Sequence, residues 1–136
     1  MSNQSFVEKT AQEAVILSKR YEEDALVSLF AAELKRISGS RPLAMGVSSA
    51  GELTKEFLAG LGDSLVDHRE YTSTVATILV PKAMDFLAAK GWIDLQDLAL
   101  SEFVVTVFVA IAVGVLMRQW ELHRGASARP NTPNTP

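Results

Sequence analysis

Apolar residues recur at helical spacing along most of the chain, with charged residues filling the faces between them. From Phe6 to Ile37 one stripe runs through Val7, Ala11, Ala14 and Val15 and continues through Leu26, Leu29 and Phe30. Glu8, Lys9, Glu13, Lys19 and Arg20 occupy other faces, so the spacing predicts helix throughout. The Tyr21-Glu22-Glu23-Asp24 cluster is either a bend between two helices or the exposed face of one. Lys35 and Arg36 followed by Gly39 make a helix end, with cations beside the terminal carbonyls and then a residue free to turn. Small residues, glycine and proline between Ser38 and Ser48 read as a short loop. Ser49-Ala50-Gly51-Glu52 has the spacing of a capping box and predicts a helix from about Ala50. Along it Leu53, Phe57, Leu58, Leu61 and Leu65 form an apolar surface. Gly60 and Gly62 each cost such a helix about 1 kcal/mol relative to alanine, which requires a packing reason such as a second helix close to the backbone. Val75, Ile78 and Leu79 continue the period until Pro81, after which Met84, Leu87 and Ala88 share a face up to Gly91. Two short helices are predicted, because proline lacks the amide that a helix interior uses but suits a first turn.

Asp94 is placed to cap a last helix from about Leu95 to Arg124. From Phe103 to Met117 that helix carries no charge, and Thr106 is its one polar side chain. A helix that is apolar all round is buried all round. A membrane span needs about twenty such residues, and Glu102 and Arg118 bracket this segment more tightly, so the pattern predicts the centre of a helical bundle. The proline, asparagine and threonine residues that follow offer nothing to pack. The chain therefore divides into one domain over 1-125 and a disordered tail over 126-136.

Composition adds exclusions. Apolar residues make up 48% of the 136, enough for a core. The net charge of -3, with no lysine-arginine cluster, argues against a nucleic-acid surface. The absence of cysteine removes disulfides, thiolate nucleophiles and cysteine-ligated zinc. Met1-Ser-Asn-Gln-Ser5 leads into a charged amphipathic stretch, so no secretory leader is read and a cytoplasmic location is expected. His68 and His123 lie far apart among polar neighbours and read as surface residues. Glu22, Glu23 and Asp24 are adjacent, so on a helix they point apart and make neither an acid-base pair nor a metal cage. Gly60-Leu61-Gly62 lacks the strand and the third glycine of a dinucleotide loop. The expectation is a protein that is not an enzyme and uses no cofactor or metal.

Leu58-Ala-Gly-Leu61-Gly62-Asp63-Ser-Leu65 resembles the Bcl-2 homology 3 (BH3) motif of the Bcl-2 family of apoptosis regulators, Leu-x-x-hydrophobic-Gly-Asp-x-hydrophobic, with Leu58, Leu61, Gly62, Asp63 and Leu65 matching position by position. The wider plan is also similar to that family: a long first helix, the Gly-Asp helix second, a pair flanking Pro81, and an apolar central helix fifth. The resemblance implies an all-α, Bcl-2-like helical bundle around a hydrophobic central helix. It also implies a surface groove that receives the BH3 helix of a pro-apoptotic partner and so inhibits apoptosis. Arg69, Val75, Ile78, Leu79, Met84, Leu87 and Trp92 are the expected lining of that groove. The rival implications are a pro-apoptotic relative that permeabilises membranes with its own Gly-Asp helix as ligand, and an unrelated membrane protein inserted through the apolar helix.

The chain departs from the family in two places. The family carries Asn-Trp-Gly-Arg before its fifth helix, and that arginine pairs with the partner's aspartate; here Gly91-Trp92 is followed by Ile93 and Asp94, so only the tryptophan matches. Arg69, Lys82 or Lys90 is the expected substitute for that arginine. The family also usually continues through further helices and often a membrane anchor. Either the last helix is broken, so that its end around Trp120 serves as a later helix, or a second copy covers the exposed side as a homodimer, because an uncovered apolar flank exceeds what monomers tolerate. Compact, anchorless relatives of this kind are carried by large DNA viruses such as iridoviruses, which implies a viral protein acting in the host cytosol, with peripheral association at the mitochondrial surface.

Overall fold

The computed structural model describes the backbone of residues 3–38, 47–61, 72–93, 96 and 98–128. Among the described residues there are five helices and no strand: α1 (Asn3–Arg20), α2 (Glu23–Ser38), α3 (Val47–Leu61), α4 (Thr72–Ala89) and α5 (Leu98–Ala128). They pack as a helical bundle with α5 at its centre, and every residue of α5 from Val104 to Val113 is buried. Having no polar face there, α5 is stable in water only where other helices surround it.

The first long stripe is two helices, joined at Tyr21 and Glu22. Charge accounts for the break without proline or glycine. Lys19 and Arg20 close α1 beside its carbonyl end, and Glu23 and Asp24 open α2 beside its amide end, each favourable by a few tenths to about 1 kcal/mol. The break lets both helices lie on α5. Lys9 Nζ is 3.2 Å from Glu102 Oε2 near the start of α5, and Ser18 and Tyr21 reach the neighbourhood of Gly114 and Arg118, so α1 runs parallel to α5. Glu23 meets Arg118 and the Phe30 ring meets Phe108, so α2 returns antiparallel.

The helix over α4 is continuous through Pro81, where two were expected. Proline in a helix interior costs about 3 kcal/mol. Pro81 itself is exposed. Val75, Leu79 and Val80 before it, with Ala83 and Leu87 after it, share one fully buried stripe. Burying each of the larger side chains is worth about 1.5–3 kcal/mol, so their sum outweighs the proline. The helix ends where the sequence places it. Gly91 has φ 78°, its amide donates to the Ala88 carbonyl at 2.9 Å, and the Trp92 amide donates to the Leu87 carbonyl at 2.9 Å, the paired bonds of a Schellman cap.

Three further expectations are corrected. α3 begins at Val47, so Ser49 and Glu52 lie within it and not at its cap. Among the described residues nothing comes within 4 Å of a Cβ built at Gly60, so no described helix presses on that backbone. α5 is unbroken from Leu98 to Ala128, so its end around Trp120 is not a separate helix. The expected cap Asp94 lies outside the described residues, as do the residues of the 126-136 tail beyond Ala128.

Aromatic rings lock the surrounding helices to the centre. The Phe108 ring lies 5.3 Å from Phe30 of α2, 5.1 Å from Phe57 of α3 and 6.0 Å from Phe86 of α4, centroid to centroid. Phe57 and Phe86 also meet at 5.3 Å, and Phe30 lies 6.0 Å from Trp92. Tilted and stacked pairs at these distances add to the energy of burial alone.

Two buried threonines behave differently. The Thr106 hydroxyl donates to the Glu102 carbonyl at 2.8 Å. The Thr10 Oγ1, on α1, is buried and has no hydrogen-bond partner among the described residues. An unpaired buried hydroxyl costs about 1–3 kcal/mol, so Thr10→Val, which keeps the shape and removes the polar group, is expected to raise stability by about 1 kcal/mol. A thermal melt checks this: the midpoint of the variant is expected to rise by roughly 4 °C, and a fall shows that the hydroxyl is satisfied.

Candidate functional site

Burial along α5 fades beyond Val113, and Val115, Leu116 and Met117 are only half-buried. The cause lies in the other helices. α1 ends at Arg20 and α2 begins at Glu23, level with Arg118, so the two helices that cover the middle of α5 do not cover its later turns. On that side α3 is the neighbour. It turns Leu53 and Phe57 inward, and presents Leu58, with Thr54 and Lys55, to α5 from an adjacent face.

Between α3 and α5 lies an open trough of about 620 Å³. Its apolar floor is made by Leu58, Ala59, Val115 and Leu116. Lys55, Gln119 and the Glu23–Arg118 ion pair stand around it, with Arg118 Nη1 3.2 Å from Glu23 Oε1. The trough thus carries two cations and one carboxylate, a positive rim on a chain whose net charge is -3. An apolar floor with a polar, basic margin is the make-up of a surface that receives an amphipathic helix carrying acidic residues. A second cavity, of about 360 Å³, lies at the α1–α2 turn over Ile111 and Gly114, beside Tyr21 and Glu22. Glu23 and Arg118 line both cavities, so their ion pair stands between the two.

The motif residues divide. Leu58 is half-buried and forms part of the trough floor, and Leu61 is half-buried at the edge of the core. Gly62, Asp63 and Leu65 lie outside the described residues, as does Arg69. The expected groove lining on α4 is corrected in part. Val75, Leu79 and Leu87 are fully buried in the core, and side chains with no exposed surface cannot line an open groove. Ile78, Met84 and Trp92 are half-buried and pack against the core, with Trp92 against Phe30. None of these lines the trough between α3 and α5. Of the basic residues considered as substitutes, Lys82 is exposed, while Lys90 pairs with Glu56 at 3.1 Å and lies over the Phe86 ring.

Sequence reasoning missed Lys55, Val115, Leu116 and Arg118. One signal was present: the charge cluster at Tyr21–Asp24 marks where the first two helices turn, and hence the level above which α5 loses their cover. Comparison with family models, with curated proteins and with solved structures gives no match for this chain.

Proposed function

We propose that this chain binds an amphipathic helix from a partner protein in the trough between α3 and α5, and that the partner helix is a BH3 motif of a pro-apoptotic protein, held so that apoptosis is inhibited. The observation that carries the reading is the trough itself, an apolar floor of four side chains with a basic margin beside the central helix of the bundle. The choice of partner rests on the resemblance of Leu58, Leu61, Gly62, Asp63 and Leu65 to the BH3 motif and of the helix order to the Bcl-2 plan. Leucine anchors of the incoming helix would supply most of the binding energy and a carboxylate its register. A calorimetric titration with a synthetic BH3 peptide tests this, beside a control peptide whose anchor leucine is glutamate. Saturable binding that the control loses is expected; a folded protein that binds neither peptide refutes the reading.

A second reading rests on α5. Ser101–Leu122 is long and apolar enough to cross a membrane, with mean hydropathy 1.9 over an 18-residue window, although 61% of that window is buried in the bundle. Core helices of soluble proteins pass the same test. If the chain permeabilises membranes, the folded protein releases dye from liposomes containing anionic lipid; under the first reading it binds peptide and releases none.

A further inference from the structure

The cavity of about 360 Å³ at the α1–α2 turn has the opposite character to the trough. Leu26, Ile111 and Gly114 give it an apolar floor, and among the described residues nothing comes within 4 Å of a Cβ built at Gly114, so the hollow reaches down to the backbone of α5. Its lining carries Glu22, Glu23 and Asp24 against the single cation Arg118, three negative charges and one positive. Arg118 is taken by Glu23 at 3.2 Å, whereas Glu22 and Asp24 are exposed and have no ion-pair partner among the described residues. Tyr21, 40% exposed, stands beside them. The amide end of α2 favours carboxylates at its opening, but it does not account for the apolar hollow that they border.

These features select one kind of group. An apolar floor takes an aliphatic stem, the unpaired carboxylates take a cation at its tip, and the exposed aromatic ring favours a cation that can stack on it. Lysine and arginine side chains are built that way, and the planar guanidinium of arginine suits carboxylates and an aromatic face together. An incoming carboxylate would be repelled. Because Glu23 and Arg118 line both hollows, the cavity lies next to the trough, within reach of a helix that occupies the latter.

We infer that the cavity at the α1–α2 turn receives a basic side chain, an arginine above all, from the flank of the helix that lies in the α3–α5 trough. The inference rests on the reading of the trough as a helix-binding site, and adds a contact outside it that fixes which way the helix runs. The two margins differ in sign: Lys55 leaves the trough net positive, and Glu22 and Asp24 leave the cavity net negative. A helix with an arginine beyond one end of its leucine anchors meets the acidic margin in one direction only. The contact therefore contributes orientation and specificity, while the apolar floor of the trough supplies most of the affinity.

The experiment is a calorimetric titration of the full chain with four peptides that share one BH3 core: an arginine beyond its first anchor leucine or beyond its last, and citrulline, the neutral analogue of the same shape, at each place. Beside it are titrated the double variant Glu22→Gln, Asp24→Asn, which removes the charge, and Gly114→Leu, which fills the floor, after circular dichroism has shown all three proteins equally helical. At one end of the peptide arginine is expected to bind about fivefold more tightly than citrulline, the upper end for an exposed ion pair, and at the other end the two are expected to bind alike. Both variants are expected to bind all four peptides alike, Gly114→Leu because the side chain is kept out although the acidic margin remains. The inference is overturned, while the helix-binding reading stands, if the peptides bind and arginine is preferred at neither end or equally at both. The same holds if the preference survives in either variant, as it would if the chain's net charge of -3 merely attracted a cation. If no protein binds any of the peptides, both are overturned.

Discussion

Phe108→Ala is expected to lower the stability of the bundle by about 3–5 kcal/mol. Phe108 is fully buried and its ring meets Phe30, Phe57 and Phe86, so its removal strips one contact from each of three helices and leaves a cavity that three separate elements must close. A domain of this size has roughly 5–15 kcal/mol in all, so the variant retains a small margin or unfolds. Urea denaturation measures the effect. With a slope of about 1–3 kcal/mol per molar, the midpoint is expected to fall by at least about 1 M. Phe103→Ala, on the same helix, is the control: that ring is 41% exposed, and its loss is expected to cost about 1 kcal/mol or less. Equal costs at the two positions would contradict the placement of α5 and the role of the aromatic cluster.

Leu116→Glu is expected to abolish helix capture while leaving the fold in place. Leu116 is half-buried, on the trough floor beyond the fully enclosed segment, so a glutamate there can turn its carboxylate to water in the free protein at a cost of about 1–2 kcal/mol. A bound helix would cover that position. The carboxylate must then be buried against leucine anchors or keep the helix from seating, and a loss of at least about 100-fold in affinity follows, near 2.7 kcal/mol. Met84→Glu, on the helix face that the resemblance to the Bcl-2 family implies as groove lining, is expected to change affinity little. Titration of both variants with the BH3 peptide decides between the two faces, because a groove along α4 would reverse the order.

The centre of the bundle was legible because Val104 to Val113 offer water no polar face, and the alternation of charge and apolar residues in the first forty positions leaves little but helix. Local chemistry also marked the end of α4, where Gly91 takes the left-handed conformation that other residues avoid. What was not legible depends on tertiary competition. Pro81 reads as a stop by its own chemistry, yet the buried stripe on both sides of it outweighs the lost bond. Val75, Leu79 and Leu87 have the same apolar character whether they line a groove or fill a core, and only the position of α1 and α5 distinguishes the two. The trough arises where two helices end beside a third that continues, a property of relative lengths and directions that no short motif encodes. The ion pair of Arg118 has no local signature, since its partner Glu23 lies far away in sequence on another helix.

The central claim is that a partner helix seats between α3 and α5, and the most direct test is a two-dimensional amide NMR titration of the isotopically labelled 14.8 kDa chain with the BH3 peptide. The largest shifts are expected to cluster at Lys55, Leu58, Val115, Leu116 and Arg118. Shifts confined to Ile78, Met84 and Trp92, with the trough unmoved, would contradict it.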